Sequence, residues 1–430
     1  MPDVVVPCPA GLAHRTARAT VAVTDTAGRP LAHTEVRVTQ RRHAFGFGNI
    51  GFDLVALAND VADASADFDG AHGNLARLAE LYVDLFNTAT LPFYWRRFEP
   101  ERGRPDTARL LRGARWFRDR GIAVKGHPLA WHTLAPQWLL GMSDDEVEAT
   151  LRARVTRDVT DFAGVIDTWD AINEVVIMPV FTAEENAITR LAKREGRVGM
   201  VRLAFETARA ANPGATLLLN DFNLSPEYEH LIEDCLAAGI RIDALGLQSH
   251  MHQGYWGEEK TGRILERFAR FGLPLHWTET TLVSGHLMPP EIEDLNDYQI
   301  PSWPSTPEGE ERQADELMRH YTTLLAHPSV QAVTYWGLSD DGAWLGAPAG
   351  LVRKDGTTKP AYDELRAHVK GAWWLKETTV RTDEAGRFTL DAFLGDYTVS
   401  AADSSADVTL AAGAPAVEAR LVQTSGTSTS

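Results

Sequence analysis

Cysteine is nearly missing from this chain of 430 residues: Cys8 and Cys235 are the only two, far apart, and no disulfide framework or thiolate metal cluster can be built from them. Basic charge is short as well. Lys and Arg number 42 against 59 Asp and Glu, a net charge of −17 with no basic run, which argues against nucleic acid, whose phosphates need clustered cations. Long apolar runs are absent: no stretch approaches the roughly 18 apolar residues of a spanning helix. The start, Met1-Pro2-Asp3-Val4-Val5-Val6-Pro7-Cys8, has neither a basic n-region nor an apolar h-region. No membrane partner is therefore expected, and a cytoplasmic location is the expectation, with the note that a trimmed signal peptide leaves the same appearance.

What is present is an alternation. Between residues 45 and 368, short apolar segments at 45–49, 85–91, 123–129, 168–173, 216–221, 244–249, 273–279 and 332–338 alternate with amphipathic stretches. The latter fall at 73–84, 106–120, 143–163, 198–211, 226–238, 258–271, 307–327 and 360–369. Strands separated by helices predict a parallel sheet, and eight such pairs predict an α/β fold, a (β/α)8 TIM barrel over 43–370 whose active face lies where the strands end. The chain ends read differently. Alternating segments at 20–25 and 34–40, and again between 378 and 422, predict that residues 1–42 and 371–423 form a small β-sandwich. Their order resembles the transthyretin-like modules of carboxypeptidases, with the barrel inserted after the second strand. Few exposed aromatics are expected there beyond Trp373, Trp374 and Tyr397, so a scaffold is predicted, not a sugar-binding face. The tail 424–430 is Ser/Thr/Gly-rich and expected to be disordered.

Two glutamates stand at strand ends. Glu174 follows Asp170-Ala171-Ile172-Asn173, and Glu279 follows Leu273-Pro274-Leu275-His276-Trp277-Thr278. A carboxyl emerging from a barrel is poorly solvated and raised in pKa, while a second one across a sugar-sized gap can attack as a nucleophile. The segments His127-Pro128-Leu129-Ala130-Trp131-His132, Trp169-Asp170-Ala171-Ile172-Asn173-Glu174, Leu219-Asn220-Asp221-Phe222-Asn223, Gly246-Leu247-Gln248-Ser249-His250, Trp277-Thr278-Glu279 and Trp336-Gly337-Leu338-Ser339-Asp340 occur in this order. Together they resemble the family 10 glycoside hydrolases, the xylanase family.

The resemblance implies a retaining β-glycosidase without a cofactor, with Glu174 as acid/base and Glu279 as nucleophile. It implies that Asn173 binds a sugar 2-hydroxyl and that Gln248 and His250 lie around the nucleophile, His250 donating to it. His127 and Trp131 are implied beneath the sugar before the cleaved bond, and Trp336 and Trp344 as aromatic walls. Trp169, Trp277 and Phe222 are read as packing, and His43, His132 and His252 as structural histidines. His250-Met251-His252 also has metal-ligand spacing, so a metal-dependent barrel hydrolase is one rival. A non-catalytic sugar-binding barrel is another, but it requires a missing carboxylate, and both are present.

Departures from the family pattern bear on substrate. Members usually carry Glu-Asn-x-x-Lys-Trp after the second strand, whereas this chain has Thr90-Leu91-Pro92-Phe93-Tyr94-Trp95-Arg96, so that the Lys is either replaced by Tyr94 or shifted to Arg96, which is then expected to contact substrate. A glycone site of Pro92, Phe93 and Tyr94 offers little to a second sugar. Thr280-Thr281 stands where many relatives have a hydrophobe and an Asp. Long segments at 175–197 and 282–306, rich in Pro and aromatics, are expected to be ordered loops walling a pocket. The expected substrates are xylo-oligosaccharides or related β-glycosides, the alternative being a saponin-type glycoside with an apolar aglycone.

Overall fold

The computed structural model describes residues 1–61 and 73–423; the tail expected to be disordered, 424–430, lies outside the described residues. The chain separates into two compact units, Phe47–Tyr362 and Met1–Gly46 joined by the chain from Asp363 onward. The division falls slightly inside 43 and 370. His43 and Val369 belong to one packed cluster, His43 Nε2 lying 2.9 Å from the Val369 carbonyl, which draws the end of the last helix into the terminal unit.

The larger unit is a closed barrel of eight strands, neighbouring one another in chain order. They are β1 (Gly46–Ile50), β2 (Thr88–Pro92), β3 (Ala123–His127), β4 (Thr168–Asn173), β5 (Thr216–Asp221), β6 (Ala244–Met251), β7 (Leu275–Leu282) and β8 (Val330–Tyr335). Both faces of a parallel strand are covered, and Leu217-Leu218-Leu219 in β5 is correspondingly apolar and buried throughout. All eight lie where the sequence placed them, with shifted ends. β2 starts at Thr88, not 85, because Leu85 still closes the helix Leu75–Leu85. β7 outruns Glu279, because Thr280, Thr281 and Leu282 pair with Ser249, His250 and Met251. Glu279 thus sits within its strand and not at its end. A register shift between Trp277 and Glu279, and another between Asp170 and Ile172, put an irregularity in each of the strands leading to the two glutamates. Such bulges re-aim side chains at barrel rims.

Helices cover the barrel, and their starts are written in capping chemistry. Ser143 and Glu146 form a reciprocal capping box on Asp144–Asp161, and Thr306 caps Pro307–Ala326 with Pro at the first position. The expected loop 175–197 is only partly a loop. The helix there begins at Ala187, where the Asn186 side chain accepts from Thr189 N and Ile188, Leu191 and Ala192 turn inward. Gly196, at φ 71°, kinks it into the expected helix, and that left-handed residue hid the first half from a periodicity reading. Segment 282–306 is an ordered loop with a small core of its own: Val283, Met288 and Trp303 are buried with Ala347 and Ala349. Among the described residues no helix is long and apolar enough to cross a membrane.

The smaller unit is two sheets. One orders Asp3–Val5, Arg387–Phe393, Thr16–Thr24 and Ala416–Arg420; the other Thr378–Arg381, Glu35–His43, Gly395–Ala401, Ser404–Leu410 and Val422–Gln423. Val21, Val23, Val36, Val38, Phe388 and Val399 point inward with the two-residue period of strands. Gly395, at φ 149°, permits the tight passage beside Arg42, whose carbonyl oxygen a Cβ would meet at 2.0 Å. Trp373 and Tyr397 are buried, and His43 is enclosed, its pKa lowered by burial to about 4. These aromatics are core, consistent with a scaffold.

Candidate active site

Glu174 leaves β4 in the left-handed region at φ 55°, a conformation uncommon for a residue with a side chain. Its backbone N–H donates to the Asn220 carbonyl at 2.9 Å, which fixes the turn against β5. Trp131 Nε1 donates to Glu174 Oε2 at 2.8 Å, and Gln248 Nε2 lies 3.4 Å from Oε1. Glu279 Oε1 accepts from Asn220 Nδ2 at 2.9 Å, its Oε2 lies 3.1 Å from His250 Nε2, and His127 Nε2 stands 3.9 Å from Oε1. Asn173 Oδ1 takes both Asn220 Nδ2, at 2.7 Å, and Gln248 Nε2, at 3.0 Å. A continuous path of amides therefore joins the two carboxyls: Glu279, Asn220, Asn173, Gln248, Glu174. Gly246 makes room for it, since a Cβ there would lie 2.2 Å from Asn220 Oδ1. The amide nitrogen of Asn173 is buried and has no protein partner, a donor left for something else.

The two carboxyls are driven apart in proton affinity. Burial, then repulsion from Glu279, pushes Glu174 up to about 8. Burial also acts to raise Glu279, but the field of His127 and the bond from His250 outweigh it and hold the group below its ordinary value. Behind His127 lies Asp170, wholly buried, whose Oδ2 accepts from Lys125 Nζ at 2.6 Å and from His127 Nδ1 at 2.7 Å. Its own burial penalty is outweighed by those two partners, so its pKa is lowered. An ionised Asp170 only accepts, so Nδ1 of His127 carries a proton and the ring is held with Nε2 towards Glu279.

Aromatic rings close the site. Trp336 lies 5.2 Å from His127 and 5.8 Å from Phe52, Trp131 lies 5.5 Å from Tyr94, and Trp344 lies 5.0 Å from His250, all centroid to centroid. His132 and His252 are pushed by burial to about 3, the first packed on Phe181 and the second between Trp303 and Trp344. Each leaves Nδ1 buried and unpartnered, as a neutral ring packed among aromatics can. Among the described residues, no group of three or more His, Cys, Asp or Glu is placed to hold a metal ion.

The family model described as glycosyl hydrolase family 10 matches residues 73–368. The chain belongs to this family. It is similar to endo-1,4-beta-xylanase B of Thermotoga neapolitana, 28% identical over 259 residues that make up 58% of this chain and 69% of the relative. It is also similar to a beta-1,4-xylanase of Dictyoglomus thermophilum, 27% identical over 239 residues, 52% of this chain and 62% of that protein. The crystal structure of native xylanase 10B from Thermotoga maritima shares its fold at a TM-score of 0.60 and 22% identity, covering 76% of this chain and 95% of the other. The chain is a glycoside hydrolase of the xylanase type.

The structure brings together Glu174, Glu279, His127, Trp131, Asn173, Gln248, His250, Trp336 and Trp344. Gln248 pairs opposite Glu279 in the sheet, and its side-chain amide donates to Asn173 Oδ1 and lies 3.4 Å from Glu174 Oε1. Three sequence expectations are corrected. Arg96 is engaged elsewhere, its Nη2 on both oxygens of Glu184 at 2.8 and 2.9 Å and its Nε on the Ala135 carbonyl, so it braces the segment after β4. Phe93 does not wall the glycone site but packs in the core against Phe98, Phe162 and Trp169, because its backbone follows β2 inward. Phe222 does not pack either; it is 45% exposed. Sequence reasoning missed Asn220 as the bridge and the Lys125, Asp170 pair behind His127. Both were visible as polar residues inside apolar strands, which are rare unless partnered.

Proposed function

We propose that this enzyme cleaves β-glycosides with retention by double displacement. Glu279 attacks the anomeric carbon while Glu174 gives its proton to the departing oxygen; Glu174 then takes a proton from the water that releases the sugar. The observation that carries this reading is the opposed proton affinity of two carboxyls, Glu279 buried and Glu174 half-buried, joined by one amide path. One is a protonated acid at neutral pH and the other a carboxylate, the two forms the first step consumes. The unpartnered amide nitrogen of Asn173 supports a contact to a sugar 2-hydroxyl, one that strengthens as the ring approaches an oxocarbenium ion. NMR of the first-formed product tests it: the β anomer is expected, and the α anomer would overturn retention.

The pH profile follows with its sign. Activity needs Glu174 protonated, so kcat/KM should fall as pH rises through about 8. It needs Glu279 ionised, so the acid limb should lie below the ordinary glutamate range of about 4.3. With a leaving group that needs no proton, the alkaline limb should flatten; an unchanged limb would show that another group sets it. Neither step uses a metal ion, so activity is expected to survive exhaustive chelation; loss with EDTA and recovery with zinc or manganese would revive the metal-dependent reading.

Substrate choice is proposed to favour short or apolar-capped β-glycosides over polymeric xylan. The Glu-Asn pair is absent, and Tyr94, the one aromatic of that segment that reaches the site, packs against Trp131 and Phe52. Sugar hydroxyls buried there without partners cost on the order of 1–3 kcal/mol each. Comparing kcat/KM on xylan, aryl β-xylosides, β-xylobiosides and saponin glycosides decides it, and rapid internal cleavage of xylan would refute it.

A further inference from the structure

His250 lies between two oxygens. Its Nε2 is 3.1 Å from Glu279 Oε2 and its Nδ1 is 2.9 Å from Thr281 Oγ1. The pairing of β6 with β7 sets Thr281 directly opposite His250, so the contact is built into the sheet and does not depend on a loop. Glu279, held ionised, only accepts, which requires a proton on Nε2. The hydroxyl of Thr281 can either donate or accept, and the choice decides the charge of the ring. If it accepts, His250 carries protons on both nitrogens; if it donates, the ring is neutral.

The aromatic surroundings penalise a charge on the ring. Trp344 at 5.0 Å and Trp336 at 6.2 Å enclose it, and His252, 6.0 Å away, is neutral in its buried position. Among the described residues, Glu279 is the only charged side chain hydrogen-bonded to the ring. Glu279 is one counter-charge, and its field favours a second proton on the ring; burial among the aromatic rings opposes it, and the hydroxyl on Nδ1 supplies no further counter-charge, whereas a carboxylate in its place would.

We infer that Thr281 is a positioning residue for the nucleophile, its hydroxyl donating to Nδ1 and thereby fixing His250 as the neutral Nε2–H tautomer that donates to Glu279. The inference rests on the reading of Glu279 as nucleophile. When that carboxylate becomes a neutral glycosyl ester, a neutral donor loses a hydrogen bond, whereas an imidazolium would lose its counter-ion as well. Thr281 therefore keeps the ring from penalising the covalent intermediate, while still holding the carboxylate oxygen in place before attack.

Nitrogen-15 histidine NMR of the full chain at neutral pH reads the tautomer directly, with the His250 signals assigned by their loss in His250→Gln. The wild type should show a protonated Nε2 and a bare, hydrogen-bonded Nδ1. Thr281→Val should lose the fixed tautomer and lower kcat roughly tenfold, the size of one lost hydrogen bond, with KM little changed. Thr281→Ser should restore both, and Thr281→Asp should give a doubly protonated ring. A wild-type His250 that is doubly protonated, or protonated on Nδ1 alone, would overturn the inference whatever the variants do. So would a Thr281→Val protein with wild-type spectrum and kcat. Failure of the underlying reading shows separately, as a covalent sugar absent from Glu279 while the tautomer remains Nε2–H.

Discussion

Glu279→Ala is expected to lose on the order of 10⁴-fold or more in kcat, because the proposed covalent step would have no other nucleophile. Small anions should recover part of it. Azide entering the space left by the carboxylate attacks the anomeric carbon from the same side, and with the second displacement gone the product is the inverted glycosyl azide. Glu174→Ala should behave differently, keeping substantial turnover on substrates whose leaving group needs no proton and losing it on those that do. The contrast follows from the site. Glu174 is pushed up to about 8 and Glu279 is held low, so removing one deletes a proton and removing the other deletes a charge. Equal and total loss on both substrate types, with no azide product from either variant, would contradict the assigned roles.

Asp170→Ala is expected to destabilise the barrel by about 3–5 kcal/mol, the cost of leaving buried charge without its partner. Lys125 Nζ and His127 Nδ1 both donate to a single oxygen of Asp170, which is wholly inaccessible to solvent. Asp170→Asn keeps the shape and should lose less. The pH dependence has a definite sign. The folded pKa of Asp170 is lowered, so its contribution is present above the unfolded value of about 3.9 and lost as pH falls through the folded one. Chemical denaturation of the two variants, followed by barrel tryptophan fluorescence, measures this; a shift below about 1 kcal/mol would mean that the pair is solvated.

The barrel was legible because parallel strands buried on both faces write themselves as apolar runs, and Leu217-Leu218-Leu219 or Trp277 within its run leaves little ambiguity. The carboxyls were legible by the company they keep: a glutamate closing an apolar run is more often a cap or salt-bridge partner, but these two stand among six segments that occur in the order of one family. What was hidden depends on register. That β7 continues to Leu282, placing Thr281 against His250, follows from pairing with β6 and not from any local signal. Asn220 as bridge needed the three-dimensional closure of β4, β5 and β7, since it bonds Asn173 and Glu279 across separate strands. Arg96 was misread for a related reason. Its partner Glu184 lies on a segment whose helical half was concealed by Gly196.

The most direct test of the account is covalent trapping. A 2-deoxy-2-fluoro β-glycoside with a good leaving group slows both steps but the second more, so the glycosyl-enzyme accumulates. Proteolysis and mass spectrometry should then locate one sugar on the carboxyl of Glu279, in wild type and not in Glu279→Ala. A sugar found on another residue, or full turnover with no adduct and inverted product, would contradict it.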